Sequence, residues 1–366
     1  MNAITKASLY WHILRWRLVW AKRDTRFKPE IPGNPKFMSA RDAVGLIRDG
    51  DVIATSGLAG NQRVAIMYWA IREMFEEGGH PCNLTMMCTG GQGSRGKVPG
   101  SMEELGIDGL CTRLITAHQE TFKSLLRQAG KGKLEMQCLP QGEIAFLMEA
   151  QGRGEDSIAT ATGIGTFLDP RVGPGSRIFD PNAEQLISVE NGTLVYRAPK
   201  INVAMYGAPA ADREGNIYLD NASVIAETLD ITRAARKNGG RVIVNVGRIA
   251  EKGEGKVVIP ASDVDAIVYD PYCEQAITIK HKRYWPMLTT HSDIPVEEAI
   301  ARLRFINQIL GITPRRTPID DVLARLAAAV FSQNAWDGMM LNIGVGLPEE
   351  ACRILFEAGL LKDVTV

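Results

Sequence analysis

The sequence lacks long apolar runs and paired cysteines. No stretch reaches the roughly 18 uninterrupted apolar residues of a transmembrane helix, and the N-terminus has neither the apolar core nor the small-residue cleavage site of a signal peptide. The six cysteines form no Cys-x-x-Cys motif and lie near no histidine pair at metal-binding spacing. These absences argue against a disulfide framework and predict no metal, and they favour the reducing cytoplasm.

Familiar catalytic and nucleotide motifs are also scarce. The glycine loop after the first predicted strand is neither a dinucleotide G-x-G-x-x-G fingerprint nor a Walker loop, so we expect no nucleotide cofactor. The five histidines are scattered, and none stands in a motif with a nucleophile. A Ser-His-Asp or Cys-His mechanism is therefore not indicated.

The net charge is zero, but the charge is unevenly distributed. Residues 1–36 carry eight lysines or arginines and two acids, a net of plus six, so the remainder carries minus six and offers no basic face for nucleic acid. This basic N-terminal extension also contains Trp11, Trp16 and Trp20. We interpret it as a segment that packs on its own domain or on a neighbouring subunit, with an interfacial membrane helix as the alternative.

From residue 39 onward the hydrophobic pattern becomes regular. Residues 39–48 begin with a serine that can cap a helix, and 51–57 form an apolar run typical of a buried strand. After a loop at 57–62, apolar residues at helical spacing predict a helix over 64–75, and a strand follows over 84–88. Together these elements form a β-α-β unit.

The same alternation continues and predicts the fold class. We expect an α/β protein with an open, mostly parallel sheet and helices on both faces. Helices are predicted over 224–237 and 296–310, and Asn191-Gly192 predicts a hairpin. The further predicted strands cover 113–117, 134–139, 201–206, 241–246 and 266–269.

A proline-flanked basic connector at 314–318 is the predicted domain boundary. Beyond it, an apolar stripe leads to a predicted strand over 341–343, a glycine turn and a helix, and residues 363–366 are typical of the start of a further strand. A second α/β unit is thus begun and left incomplete.

Two glycine turns each join a predicted strand to a predicted helix. In the turn at 57–62, backbone amides and the helix N-terminus are able to face a phosphate or a carbonyl oxygen, although a plain structural turn has the same pattern. The turn at 344–348 has Pro348 at the helix start and acids at 349 and 350, where they suit the helix dipole.

Four stretches carry a family resemblance. They are Leu139-Pro140-Gln141-Gly142, a G-x-G-T-F-x-D-P-R signature at 163–171, an A-D-x-x-G-N signature at 211–216, and the segment 342–348. From Phe37 onward the sequence resembles the family I coenzyme A transferases, in the branch that acts on short-chain acyl groups. The resemblance implies that 37–317 is the first domain and 318–366 the beginning of the second.

The resemblance also implies a mechanism. Coenzyme A (CoA) passes from an acyl-CoA to a carboxylic acid in a ping-pong reaction through a glutamyl-CoA thioester, so CoA is a substrate and neither metal nor nucleotide is needed. The nucleophilic glutamate is expected just beyond Val366, on a companion polypeptide that completes the second domain of a homo- or hetero-oligomer. We consider three alternatives for why the chain ends at Val366: self-cleavage at the activated glutamate, a separate second chain, or a truncated gene.

The resemblance assigns roles to residues of this chain. The backbone amide of Gln141 would donate to the oxyanion, and Asn342 would edge the acyl pocket. The loop with Gly57 and Gly60 is bulkier than the usual glycine-rich loop of the family, which favours a polar or larger acid. Acyl-CoA hydrolysis and a non-catalytic paralogue are the rival functions. The expected CoA-binding residues are Gly344, Val345, Gly346, Leu347 and Pro348, and the residues lining the site opposite are Gly57, Gly60, Asn61 and Gln62.

Overall fold

A computed structural model describes most of the chain. The described residues are 1–19, 23–58, 62–93, 100–220, 222, 224, 226–270, 294–311, 315–344 and 346–365. They form two compact units, Met1–Ile306 and Asn307–Val366. Three residues of the predicted sites, Gly60, Asn61 and Val345, lie outside the described residues. The division at 317 predicted from the sequence stays a prediction.

The helices and strands of the described residues alternate up to residue 160, and strands then follow one another over 157–218 and 241–269. The strands are β1 Val52–Thr55, β2 Leu84–Cys88, β3 Cys111–Thr116, β4 Glu135–Cys138, β5 Ser157–Thr160, β6 Ile187–Glu190, β7 Thr193–Arg197, β8 Val203–Asp212, β9 Ile217–Tyr218, β10 Arg241–Ala250, β11 Val257–Ile259 and β12 Ala266–Tyr269. The helices are α1 Ala3–Val19, α2 Ala40–Val44, α3 Ala65–Gly78, α4 Lys123–Ala129, α5 Gln141–Arg153, α6 Thr228–Lys237, α7 Val296–Leu310, α8 Pro318–Asn334 and α9 Leu347–Glu357. No described helix is long and apolar enough to cross a membrane.

Parallel pairing dominates the main sheet of the first unit. Seven strands run parallel in the spatial order β12-β10-β8-β1-β2-β3-β4, and β9 and β11 extend the sheet with antiparallel pairs beside β8. Successive residues of β1 enter different cores, since Ile53 packs in one hydrophobic cluster and Ala54 in the other. The first cluster contains α3 and the second contains α5 and α6, so both faces of the sheet are covered. The predicted fold class is confirmed.

A small antiparallel sheet of β5, β7 and β6 accompanies the main sheet. The predicted hairpin is confirmed, because β6 and β7 pair directly and both turn residues, Asn191 and Gly192, have positive φ angles of 50° and 80°. Strand β5 was not predicted, since Ser157-Ile158-Ala159-Thr160 is too short to show a clear alternation.

Two predicted helices are shorter in the structure. The helix predicted over 39–48 ends at Val44, because the amides of Leu46 and Ile47 bond three residues back in tight turns that follow Gly45. The helix predicted over 224–237 begins at Thr228. The carbonyl of Val224 accepts a hydrogen bond from the side chain of Gln62, 3.2 Å away, and is not part of the helix.

The second unit contains α8 and α9. Helix α8 begins at a capping box in which Thr317 and Asp320 satisfy each other's backbone amides. Near the strands predicted over 341–343 and 363–366, the described residues form a single parallel bridge between Met340 and Thr365, and Val366 lies outside the described residues. Residues 341–343 therefore form no strand, because they pair only through this one bridge, whereas the start of a strand from residue 363 stays a prediction.

One face of the basic N-terminal extension packs against the chain. In α1 the side chains of Leu9 and Ile13 are buried, whereas Ile4, Trp11 and Leu18 are exposed.

The A-D-x-x-G-N signature forms the turn between β8 and β9. The carboxylate of Asp212 is buried, and its Oδ1 accepts the backbone amides of Glu214, Gly215 and Asn216 at 2.9–3.0 Å. Its Oδ2 accepts from the Asn216 side chain and the Tyr218 hydroxyl. Burial opposes ionisation, but these hydrogen bonds outweigh it, and the pKa of Asp212 lies below its usual value.

We expect Asp212→Ala to lower the free energy of unfolding by about 3 kcal/mol, because it leaves buried donors without an acceptor. Asp212→Asn keeps one acceptor oxygen, so its free energy of unfolding should fall by less. Urea denaturation of both variants measures the difference. Equal stability of Asp212→Ala and the wild type would show that the signature is not a structural turn.

Candidate functional site

The order of the parallel strands reverses beside β1. From β1 the chain builds outward through β2, β3 and β4, and it then returns to place β8, β10 and β12 on the opposite side of β1. The registered pairs between β1 and β8 stop at Ala54–Ala204. In open α/β sheets a ligand crevice forms at the carboxyl ends of the strands where the order reverses. The ends of β1 and β8 are therefore the candidate site of the first unit.

A buried polar network occupies this point. The hydroxyl of Ser56, directly after β1, lies 2.8 Å from that of Thr228 at the start of α6, and it donates weakly to Gln62 at 3.4 Å. From the loop after β2, the side chain of Gln92 donates to the carbonyl of Ser56 at 2.7 Å. All four residues are buried, so the network forms the base of the crevice.

Gln62 is held in an uncommon backbone conformation. Its φ angle is 59°, and its carbonyl accepts the amide of Gly207 in β8 at 3.2 Å. A Cβ atom at position 207 would lie 2.6 Å from that carbonyl oxygen, so only glycine permits this approach. Of the predicted residues of this loop, Gly57 and Gln62 are thus placed at the end of β1.

The loop after β2 packs directly on the loop after β1. A Cβ atom at Gly90 would lie 2.4 Å from the Leu58 side chain and 3.1 Å from the carbonyl oxygen of Gly57. Sequence reasoning missed this loop, although Gly91-Gln92-Gly93-Ser94-Arg95-Gly96 has the spacing of a G-x-G-x-x-G motif. Met102–Leu105 forms a 3₁₀ helix and not the long helix of a dinucleotide fingerprint.

Glu227 is a second residue that sequence reasoning missed. One carboxylate oxygen accepts the Thr89 hydroxyl at 2.9 Å. The other is buried and makes no hydrogen bond within the described part of the chain. Buried carboxylate oxygens usually accept a hydrogen bond, so Glu227 is a candidate ligand-contacting residue. No sequence signal marks Glu227, because it is a single acid ahead of α6.

Gln141 also lies at the carboxyl edge of the sheet, but it follows β4 and not β1. It is the first residue of α5, directly after Pro140, and its exposed side chain lies 3.1 Å from His118 Nε2. The first amides of a helix have no acceptor within the helix and carry the positive end of its dipole, so this amide suits an oxyanion. Three strand spacings separate β4 from β1, or roughly 14 Å. Gln141 and Gln62 therefore lie at the same edge of the sheet but are too far apart to contact each other.

The predicted CoA-binding turn belongs to the second unit. Gly346 has a φ angle of 104°, and its carbonyl accepts from Arg316, which also pairs with Glu350 at 3.3 Å. Asn342 and Gly344 are exposed. An apolar cavity of about 260 Å³ lies between α8, α9 and this turn, lined by Ala327, Phe331, Leu341, Asn342, Ile343, Leu347, Pro348, Ala351, Cys352 and Leu355.

The G-x-G-T-F-x-D-P-R signature is explained by loop structure. Arg171 donates to both oxygens of Asp169 at 2.8 and 2.6 Å, and the amide of Gly165 donates at 3.0 Å. The Arg171 hydrogen bonds, followed by that of Gly165, hold the pKa of Asp169 far below its usual value. Because folding lowers this pKa, the ionised Asp169 stabilises the folded state at a pH above the pKa of the unfolded chain. The contribution decreases as the pH falls from that value through the lowered pKa of the folded state.

Comparison with known proteins identifies the family. The family model for coenzyme A transferase matches residues 37–270. Caffeate CoA-transferase from Acetobacterium woodii is 33% identical over 346 residues, which cover 90% of this chain and 61% of that protein. The chain belongs to the coenzyme A transferase family.

Other relatives agree in fold. Acetate CoA-transferase YdiF of Escherichia coli K12 is 26% identical over 251 residues, covering 66% of this chain and 47% of that protein. The structure of acyl-CoA transferase YdiF from E. coli O157:H7, a thioester complex with CoA, matches with a TM-score of 0.71 at 24% identity, covering 92% of this chain and 65% of that one. This chain spans about three fifths of the length of the caffeate enzyme.

We expect Gly207→Ala to lower the free energy of unfolding by about 1–3 kcal/mol, because the added methyl meets the carbonyl of Gln62. The matched control is Gly78→Ala, since position 78 ends α3 with open space around its Cβ and an ordinary φ angle. The control should change stability by under about 1 kcal/mol. Similar stability losses in the two variants, measured by urea denaturation, would contradict the tight contact.

Proposed function

We propose that the chain forms the larger part of an enzyme that transfers CoA between an acyl-CoA and a carboxylic acid. The observation that carries the proposal is the family match over residues 37–270, together with the caffeate CoA-transferase relative. The carboxyl edge of the sheet supports it, because a crevice at the strand reversal and a helix N-terminus both suit an acyl thioester and its oxyanion.

In the proposed reaction, a glutamate carboxylate attacks the acyl-CoA carbonyl and expels CoA thiolate, which leaves a mixed anhydride. The thiolate then attacks the glutamyl carbonyl, forms the glutamyl-CoA thioester and releases the first acid. A second carboxylate reverses both steps. One thioester replaces another, so the protein needs to position the reactants, stabilise oxyanions and exclude water.

Residues of this chain supply the surroundings of that chemistry. We assign the oxyanion amide to Gln141, the edge of the acyl pocket to Asn342, and the approach to CoA to Gly344, Val345, Gly346, Leu347 and Pro348. Gly57, Gly60, Asn61 and Gln62 would line the opposite side. The free oxygen of Glu227 offers an acceptor to a hydroxyl or amide group of the bound substrate.

The nucleophilic glutamate is assigned to the segment that completes the second unit, on a companion polypeptide. Relatives of this family include the separate alpha subunit of an acetate CoA-transferase of E. coli K12, of which this chain covers 96%. We propose an oligomer that contains both parts. The free cysteines of the described residues fit a cytoplasmic enzyme.

The role of Gln141 is testable because its backbone and side chain can be changed separately. Pro140 has φ −59° and ψ 142°, which tolerates a following proline, and a first helical position accepts proline as well. Gln141→Pro therefore removes the amide donor with little strain. We expect kcat to fall by about 10²–10³.

Gln141→Ala is the control, since it keeps the amide and loses only the contact with His118. Its kcat should stay within a fewfold of the wild type in steady-state assays of the complete enzyme. An unchanged kcat in Gln141→Pro, or an equal loss in both variants, would remove Gln141 from the oxyanion site.

The reaction class is tested with the complete enzyme, an acyl-CoA donor and a panel of acceptors that includes acetate, propionate and caffeate. A transferase forms the new acyl-CoA only with an acceptor and keeps the total thioester constant. Net thiol release without an acceptor would identify a hydrolase, and no reaction with any donor would identify a non-catalytic relative.

A further inference from the structure

Three different metal-ligating side chains meet at the amino-terminal edge of the main sheet. Asp49 lies just before β1, and His80 and Cys82 lie between α3 and β2. The Asp49 Oδ2 and His80 Nδ1 atoms are 2.7 Å apart. One ligand atom from each of Asp49, His80 and Cys82 lies within 4.8 Å of the other two. A carboxylate oxygen, an imidazole nitrogen and a thiol sulfur thus converge on one point.

The sheet itself fixes the two turns that carry these side chains. The amide of Gly50 donates to the carbonyl of Cys82 at 2.9 Å, and the amide of Cys82 donates to Asp49 Oδ1 at 2.9 Å. Directly beyond them, Val52 of β1 pairs with Thr85 of β2. One oxygen of Asp49 therefore holds the turn, and the other faces His80. Ligating carboxylates commonly have this arrangement.

We propose that Asp49, His80 and Cys82 bind a single zinc ion. Zinc binds carboxylate oxygen, imidazole nitrogen and thiolate sulfur at about 2.0–2.3 Å, which places tetrahedral ligand atoms about 3.3–3.8 Å apart. Zinc binding therefore requires the Asp49 Oδ2 and His80 Nδ1 atoms, 2.7 Å apart in the structure, to move apart by less than about 1 Å. The side chains of His80 and Asp49 are 71% and 42% exposed, so water has access to the fourth position.

Proton balance accompanies binding. The thiol of Cys82 loses its proton as the zinc–sulfur bond forms, and the neutral imidazole of His80 binds through Nδ1 with its proton on Nε2. The competing explanation is a surface hydrogen bond between His80 and Asp49 with a cysteine nearby by chance. Sequence spacing does not reveal the site, because Asp49 precedes His80 by 31 residues.

Cobalt substitution tests the proposal on the full chain after removal of bound metal by a chelator. We expect one equivalent of Co²⁺ to produce a thiolate-to-metal charge-transfer band in the near ultraviolet, which Zn²⁺ then displaces. Cys82→Ser should abolish the band, and His80→Gln and Asp49→Asn should each weaken Zn²⁺ binding at least tenfold. The matched control is Cys352→Ser, a partly buried thiol of the second unit, which should keep the band.

A second measurement uses the unaltered protein and does not depend on the folding of any variant. Zn²⁺ should slow alkylation of Cys82 by iodoacetamide at least tenfold, as mapped by peptide mass spectrometry, and leave Cys138 and Cys352 unchanged. A missing charge-transfer band, a band that survives in Cys82→Ser, or equal alkylation of Cys82 with and without Zn²⁺ would overturn the proposal. Both readouts are independent of the proposed CoA chemistry.

Discussion

The reversal of strand order beside β1 is the constraint on which the rest of the molecule depends. Strands β2 and β8 pair with opposite edges of β1. The connections that follow their carboxyl ends therefore cover different faces of the sheet, and a crevice opens between them. The loops that close the opening must then satisfy their own backbone groups. The side chain of Gln92 donates to the Ser56 carbonyl, and that of Gln62 donates to the Val224 carbonyl. The Ser56 hydroxyl bonds the side chains of Thr228 and Gln62, so the base of the crevice is a defined polar surface.

Close backbone approach keeps this surface rigid. Gly90 and Gly207 each allow a neighbouring loop to come nearer than any side chain would permit, and both contacts lie within the same crevice. A rigid polar base suits acyl transfer, because donors that are already oriented lose no energy to reorganisation when charge develops. One oxygen of Glu227 and the Oε1 atom of Gln92 are buried without a hydrogen-bond partner among the described residues.

Sequence patterns predicted the elements that depend on local chemistry. The parallel strands are apolar runs between glycine turns, and the hairpin follows from the positive φ angles of Asn191 and Gly192. Sequence patterns did not predict contacts between residues that are far apart in the sequence. The carbonyl of Val224, which lies within the predicted helix, instead accepts a hydrogen bond from Gln62, 162 residues away. Glu227 and the Asp49, His80 and Cys82 cluster are likewise assembled by the sheet from separate segments, so their spacing carries no signal.

Oxygen transfer from the acceptor acid tests the central claim most directly. The complete enzyme is given an unlabelled acyl-CoA and an acceptor acid carrying ¹⁸O in its carboxylate, and the released donor acid is analysed by mass spectrometry. Exchange through a glutamyl anhydride predicts that the acceptor leaves one ¹⁸O atom on the glutamate in each turnover, and that the glutamate passes this label to donor acid released in later turnovers. Donor acid that contains only unlabelled oxygen after many turnovers, or that contains oxygen from labelled water, would contradict it.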